Sequence, residues 1–316
     1  MFSPGSVAVV AHNIAGLFAS PDTSSGLTSQ LVMGMQVTVA ETLQDSASGG
    51  PMVNVTGEDR YSGWLFARYL AVTNRDDDAP VTTIASLIAD VHSSPTTHSQ
   101  LLTKLTVATP VTLGRHSSER EYTPLLLPIG ETGYTHRANL SSTYNTGGII
   151  YKYKLSLPNT SSFGLTIEKI IAEIMETIVA SALRFIGTPY LWGGTTPFGI
   201  DCSGLTQLAY KINGIQLLRD AAMQICDKRF RAVEAGKGME DADFRPGDLI
   251  FFHGRTRADE GWIVHVGLAI GDGSFVHAAG GGRGVIISSC DDPHWAVIYA
   301  GARRLLPDAD LSVDAA

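Results

Sequence analysis

Apolar positions in the first 140 residues fall in short alternating runs, separated by turns rich in Gly, Ser and Pro. That period-two pattern predicts half-buried strands, and many short strands at close spacing predict small β-barrels. The pattern occurs twice. Ile14-Ala-Gly-Leu-Phe-Ala-Ser-Pro21 returns as Ile88-Ala-Asp-Val-His-Ser-Ser-Pro95 at a shift of 74, which also carries Leu31, Met33, Val37 and Val39 onto Leu105, Val107, Val111 and Leu113. Gly63-Trp64 and Leu70 return as Gly133-Tyr134 and Leu140 at a shift of 70. Two all-β units are therefore expected over residues 1–78 and 79–145, too few for a solenoid. Residues 146–164, polar and broken by Gly and Pro, read as a linker.

Beyond the linker the period changes. Ile167, Ile170, Ile171, Ile174, Ile178 and Leu183 recur at helical spacing, with Glu168, Lys169, Glu173 and Glu176 on the other face. The helix should start near Thr166 and stop near Gly187, with Pro189 just beyond. Leu205, Leu208, Ala209 and Ile212 mark a second helix, followed by an irregular insert and then several strands. A helix first and an antiparallel sheet afterwards predict one α+β domain over residues 165–316.

Charge and composition remove several functions. Lys+Arg 23 against Asp+Glu 31 gives a net charge of −8, with no basic stripe of the kind that tracks nucleic acid. Apolar runs fall short of the ~18–20 residues of a membrane span. Three cysteines, none in a CxxC pair, are too few for a disulfide scaffold and suggest no zinc site. Arg60 is the first basic residue, so no basic segment precedes an apolar leader, and a cytoplasmic protein is expected.

The chemistry concentrates around Cys202. It follows the Gly-rich run Gly187-Thr-Pro-Tyr-Leu-Trp-Gly-Gly194 and Gly199-Ile-Asp, and it opens the second helix. Unpaired N–H groups and the helix dipole stabilise an anion there, and can take a thiol from ~8.5 toward ~3.5–7.5. Cys226 and Cys290 lie in apolar stretches and read as small buried residues. A nucleophilic thiol needs a base. Among nine histidines, His265 and His277 flank a Gly271-Asp-Gly273 turn between two strands. With an odd loop centred on Gly271, facing residues sum to 542, and His265 and His277 become direct cross-strand neighbours on one face. A two-residue loop would shift the register by one and break that pairing. One imidazole can then act as base while the other orients it. No third ligand lies beside them, so no metal or cofactor is expected.

Five segments now stand in order: Pro189-Tyr-Leu-Trp-Gly-Gly194, Asp201-Cys-Ser-Gly204, Arg245-Pro-Gly-Asp-Leu-Ile-Phe-Phe252, His265-Val-Gly-Leu-Ala-Ile270 and Phe275-Val-His-Ala278. Together they resemble the NlpC/P60 cysteine peptidases over roughly residues 165–306. The N-terminal repeats resemble bacterial SH3 (SH3b) domains, through Gly63-Trp64-Leu65 and the Ser-Pro turns. The resemblance implies an α+β papain-like catalytic domain behind two SH3-like barrels. It makes Cys202 the nucleophile, His265 the base, His277 the group that orients the base, and Tyr190 a residue of the oxyanion site. The combination resembles γ-D-glutamyl-L-diamino acid endopeptidases. That assigns Asp220 to the free α-amine of an N-terminal L-Ala, unless it only caps the helix starting near Ala221. Tyr61 would close the pocket over that L-Ala, and Trp192 and Ser203 are further substrate contacts. Arg283, in a glycine loop, is a candidate for a substrate carboxylate, but a solvated arginine in a mobile glycine loop is the favoured reading.

Residues 227–243 and 254–262 look longer than the connections usual in that family. The expected substrate is a murein tri- or tetrapeptide with a free N-terminal L-Ala, cut in wall recycling. Two alternatives stand beside it: an exported hydrolase or amidase acting on intact wall, and a wall-peptide-binding protein without catalysis. Oligomeric state and the diamino acid are not readable.

Overall fold

The computed structural model describes residues 2–72, 79–115, 121–142, 167–234, 238–254, 256 and 261–306. The expected linker 146–164 lies outside them, as do residues 255 and 257–260 of the second insert. The chain divides into two compact units, Met1–Thr146 with Trp192–Pro197, and Gly147–Leu191 with Phe198–Ala316.

The first unit is all-β. Strands β1 (Val7–Val10), β2 (Ile14–Ser20), β3 (Asp22–Val32), β4 (Gln36–Leu43), β5 (Met52–Thr56), β6 (Ser62–Phe66) and β7 (Leu70–Val72) form one sheet in the order β3-β2-β6-β5-β4-β1-β7. A second sheet holds β8 (Val81–Thr83), β9 (Ile88–His92), β10 (Leu101–Thr106), β11 (Pro110–Leu113), β12 (Tyr122–Leu126) and β13 (Thr132–His136), in the order β10-β9-β13-β12-β11-β8. The two orders coincide strand for strand. Where the first sheet ends on β7, the second has a single Ile84–Leu140 bridge.

The repeat extends to packing. Each sheet encloses its own core, Leu17, Leu31, Val37 and Leu65 in one and Val91, Leu105, Val111 and Leu125 in the other. Gly63 in β6 faces Leu17, where an added Cβ would lie 3.0 Å from the Leu17 Cβ. Gly133 in β13 faces Val91, the residue equivalent to Leu17, where an added Cβ would lie 2.4 Å from Cγ1. A strand glycine at both places lets the neighbouring side chain lie across the backbone.

The second unit begins with helix α1 (Ile167–Leu183), which buries Ile170, Ile174, Ile178 and Ala182 and ends in turns up to Gly187 at φ +86°. Strand β14 (Thr195–Thr196) lies in the segment grouped with the first unit, whereas in the second the short strand β15 (Gly199–Ile200) precedes α2 (Cys202–Ile212), and α3 (Ala221–Gln224) follows it. A six-stranded sheet then runs β16 (Phe230–Ala232), β17 (Leu249–His253), β18 (Ile263–Gly271), β19 (Ser274–Ala279), β20 (Gly284–Ser289) and β21 (Tyr299–Leu305), in the order β16-β21-β17-β18-β19-β20. Between β20 and β21 lies a short helix, α4 (Pro293–Ile298), started by Asp292 as N-cap with Pro at the first turn.

The stretch read as an irregular insert is in part regular. Phe230–Ala232 pairs with β21 as an edge strand, and the turn before it is closed by a fully buried Asp227–Arg229 pair at 2.6 Å. Cys226, expected to be buried, is exposed, whereas Cys290 is buried.

The two interior glycines of the first unit give a test. Gly133→Ala should destabilise by roughly 1–3 kcal/mol through overpacking against Val91. Gly63→Ala should cost less, because its nearest contact is longer. Thermal unfolding of the two variants beside wild type checks the order.

Candidate active site

Asp201 terminates the extended chain and caps α2, its Oδ1 accepting the Gly204 N–H at 2.7 Å. Cys202 is the first helical residue, so its sulfur sits among the unpaired N–H groups of the helix start. The cap is itself held. Arg219, 1% exposed, donates from Nη1 to Asp201 Oδ1 at 3.0 Å and from Nη2 to Oδ2 at 2.6 Å. The same guanidinium donates to Ser203 Oγ at 2.9 Å, and Ser203 Oγ donates back to Asp201 at 3.3 Å. A planar fork matched to a carboxylate is a geometry that lysine cannot reproduce. Gln224 closes the network with bonds to the Ser203 and Leu218 carbonyls at 3.2 and 2.9 Å.

The Cys202 sulfur lies against the backbone of β18. Its Sγ is 3.9 Å from the Val264 carbonyl, and the Val266 and Ser203 N–H groups bond to it. Val264 and Val266 are the two neighbours of His265. The thiol is thus delivered to the strand at the level of the imidazole.

His265, His277 and Ser288 continue from there. His265 Nε2 is 2.9 Å from His277 Nδ1, and His277 Nε2 is 2.9 Å from Ser288 Oγ. The register differs from the one expected. Facing residues sum to 544, as in Leu268–Val276 and Ala269–Phe275, because the turn has only two residues, with Gly271 facing Ser274, and a bulge lies between Ala269 and Gly271. A two-residue turn alone would have put the histidines on opposite faces. The bulge adds one residue and restores a common face, so the pair is diagonal rather than directly opposite. The position facing His277 is Gly267, where an added Cβ would meet the Phe275 ring at 2.5 Å.

Trp295 of α4 covers both imidazoles, stacked on His265 (centroids 5.5 Å, 17°) and edge-on to His277 (4.8 Å, 79°). This burial sets the protonation states. It pushes His265 down to about 4 and His277 down to about 3, with the positive charges of Arg283 and His294 adding to the effect on both. The thiol does not fall as its helix position suggested. Burial, reinforced by the Asp201 carboxylate, pushes it up to about 12, against the pull of the two N–H groups and Arg219. Desolvation outweighs the helix start, so thiol and imidazole both rest uncharged and a proton can pass between them without net charge entering the site.

Tyr190 stands close enough to Cys202 for the two groups to interact electrostatically, and burial keeps its hydroxyl protonated far above neutrality. Asp220 adjoins Arg219 and starts α3, but its side chain makes no capping bond to that helix. Ser203 is in the site, with its hydroxyl committed to Asp201 and Arg219. Tyr61 and Trp192 belong to the first unit. Tyr61 is half-buried against that unit's core and Trp192 is 70% exposed. Sequence reasoning passed over Asp201, Arg219, Ser288, Gly267 and Trp295. Asp201 and Gly267 stood inside quoted motifs, and the Asp292-Pro293 helix start was a signal for Trp295.

The model of the NlpC/P60 family matches residues 187–304. The chain is 30% identical over 295 residues to dipeptidyl-peptidase 6 of Lysinibacillus sphaericus, covering 91% of this chain and 93% of that one. It is 27% identical over 290 residues to a γ-D-glutamyl-L-lysine dipeptidyl-peptidase of Bacillus cereus, covering 89% and 76%. A solved NlpC/P60 family protein from Bacillus cereus superposes with a TM-score of 0.74 at 24% identity, over 96% of this chain and all of that one, and so shares the fold.

Two measurements follow from the site. Arg219→Met should abolish turnover and cost ~3–5 kcal/mol in unfolding free energy, because Asp201 is left buried without its partner. Arg219→Lys should fold but turn over slowly. For pH, an imidazole must be neutral to accept a proton, so kcat/KM should fall as pH drops through about 4 rather than through 6.5. The unfolded chain binds protons at these histidines near 6.5 while the native site resists them until about 4. Stability should therefore decline as pH falls across that window, read as a lower Tm at pH 5 than at pH 7.

Proposed function

The chain belongs to the NlpC/P60 family, a family of cysteine peptidases, and from that premise we propose that it hydrolyses the γ-D-glutamyl–diamino acid bond of murein peptides whose N-terminal L-Ala carries a free amine. The observation that carries the proposal is Asp220. It is joined to Arg219, whose guanidinium clamps the cap of the nucleophile helix, and the carboxylate and that guanidinium interact electrostatically. A carboxylate fixed one residue from that clamp suits an ammonium bound near the scissile bond. The names of the two relatives, dipeptidyl-peptidase 6 and γ-D-glutamyl-L-lysine dipeptidyl-peptidase, support the same reading.

In the proposed mechanism the Cys202 sulfur attacks the γ-carbonyl of D-Glu while His265 Nδ1 takes the thiol proton, since Nε2 is engaged by His277. Charge develops on the carbonyl oxygen, where backbone N–H groups at the start of α2 and the protonated Tyr190 hydroxyl can donate. Collapse of the tetrahedral species breaks the C–N bond, and the imidazolium returns its proton to the departing amine. Water, deprotonated by His265, then cleaves the thioester and releases L-Ala-D-Glu with the thiol restored.

Peptides still amide-linked to muramic acid offer Asp220 no ammonium, so a site built to pair with one discriminates against them. The proposed role is therefore recycling of released fragments in the cytoplasm. The test is a mass-spectrometric digest of L-Ala-γ-D-Glu-meso-diaminopimelate beside its N-acetylated form. Wild type should cut the free peptide at least tenfold faster, Cys202→Ala should cut neither, and Asp220→Asn should lose the preference. Equal cleavage of both peptides by wild type would overturn the amine requirement and favour a hydrolase of intact wall.

A further inference from the structure

Three strands carry His265, His277 and Ser288, and the register places them on one straight diagonal. On β18 and β19 facing residues sum to 544, so His277 lies opposite Gly267, two residues along from His265. On β19 and β20 Ser288 lies opposite Phe275, two residues along from His277 in the same direction. Each step along the diagonal is a hydrogen bond of 2.9 Å.

Each imidazole has two ring nitrogens, and in the neutral form one donates while the other accepts. Both histidines are held neutral by burial, so the chain has only two consistent settings. His265 Nε2 is engaged by His277, which leaves Nδ1 as the nitrogen available to the thiol. For Nδ1 to accept a proton, Nε2 must carry the hydrogen and donate it to His277 Nδ1. His277 must then carry its own hydrogen on Nε2, and needs an acceptor there. Ser288 Oγ is that acceptor. In the opposite setting the serine hydroxyl donates to His277 Nε2, His277 donates to His265, and His265 presents N–H to the thiol and cannot act as base.

We propose that Ser288 is a positioning residue for the peptidase. By accepting from His277 Nε2–H it selects, through two imidazoles, the tautomer in which His265 Nδ1 is bare toward Cys202. It touches neither substrate nor sulfur. Ser288 is half-buried, so water could replace a deleted hydroxyl, and the size of the replacement side chain becomes informative.

The proposal rests on His265 as the base of a thiol peptidase, and its test uses no peptide, so failure of the substrate assignment would not affect it. Histidine tautomers would be read from 15N shifts of ring-labelled full-length protein, and Cys202 reactivity from the rate of alkylation by iodoacetamide at pH 7, with Cys226→Ser and Cys290→Ser in the background. Ser288→Val removes the acceptor and keeps water out. It should move the hydrogen of His277 from Nε2 to Nδ1 and that of His265 likewise, and slow Cys202 alkylation about tenfold or more. Ser288→Ala, which admits water, should fall between Ser288→Val and wild type, and serves if Ser288→Val does not fold. Ser288→Thr should retain both tautomers and rate. Unchanged tautomers in both Ser288→Val and Ser288→Ala would overturn the proposal, as would slowed alkylation without a tautomer change or a tautomer change without slowed alkylation.

Discussion

The catalytic unit depends on one buried ion pair. Asp201 and Arg219 are each almost wholly withdrawn from water, and two buried charges are a net cost unless their geometry is close to ideal. Here both carboxylate oxygens and both guanidinium ends are used, and the remaining capacity goes to Ser203 and the Gly204 N–H. An apolar pair of similar volume would hold the helix as well, but it could not cap it. The arrangement fixes the first turn of α2, and with it the direction of the Cys202 side chain, to a part of the fold eighteen residues away in sequence.

Burial is the second theme of the site, and it cuts against the thiol. The start of α2 offers the partial positive charge that lowers a thiol's pKa in open positions. At Cys202 the same residue is enclosed, and a carboxylate sits one position before it, so the charged form is disfavoured. Trp295 and Phe252 lie against His265, and its burial disfavours its charge as well. A cysteine peptidase of this design resembles a serine enzyme in its resting state, with the proton still on the nucleophile and the base waiting.

The legible parts of this molecule were those written in local pattern. Leu17 and Val91 stand at equivalent places because the repeat at a shift of 74 is a repeat of packing, and Gly63 and Gly133 face them for the same steric reason. The α1 periodicity, the position of Cys202 at a helix start and the hairpin carrying both histidines were also readable. The hairpin register was not, because a bulge between Ala269 and Gly271 is invisible in a turn sequence that allows several loop lengths. The thiol's state was not readable either, since it depends on how deeply the folded chain encloses Cys202. Arg219 was passed over, because its pairing with Asp201 is a tertiary fact.

Trp295 has a consequence of another kind. The protein has four tryptophans; Trp192 and Trp262 are largely exposed, Trp64 is half-buried, and Trp295 alone is buried, stacked face to face on the base. An indole face carries negative potential, so it offsets part of the desolvation that disfavours the imidazolium formed when His265 takes the proton. The same contact ties the ring's emission to the charge beneath it. Light from Trp295 should be blue-shifted by its dry setting and dim when the imidazole becomes cationic, so the fold carries an optical reporter of its own proton transfer.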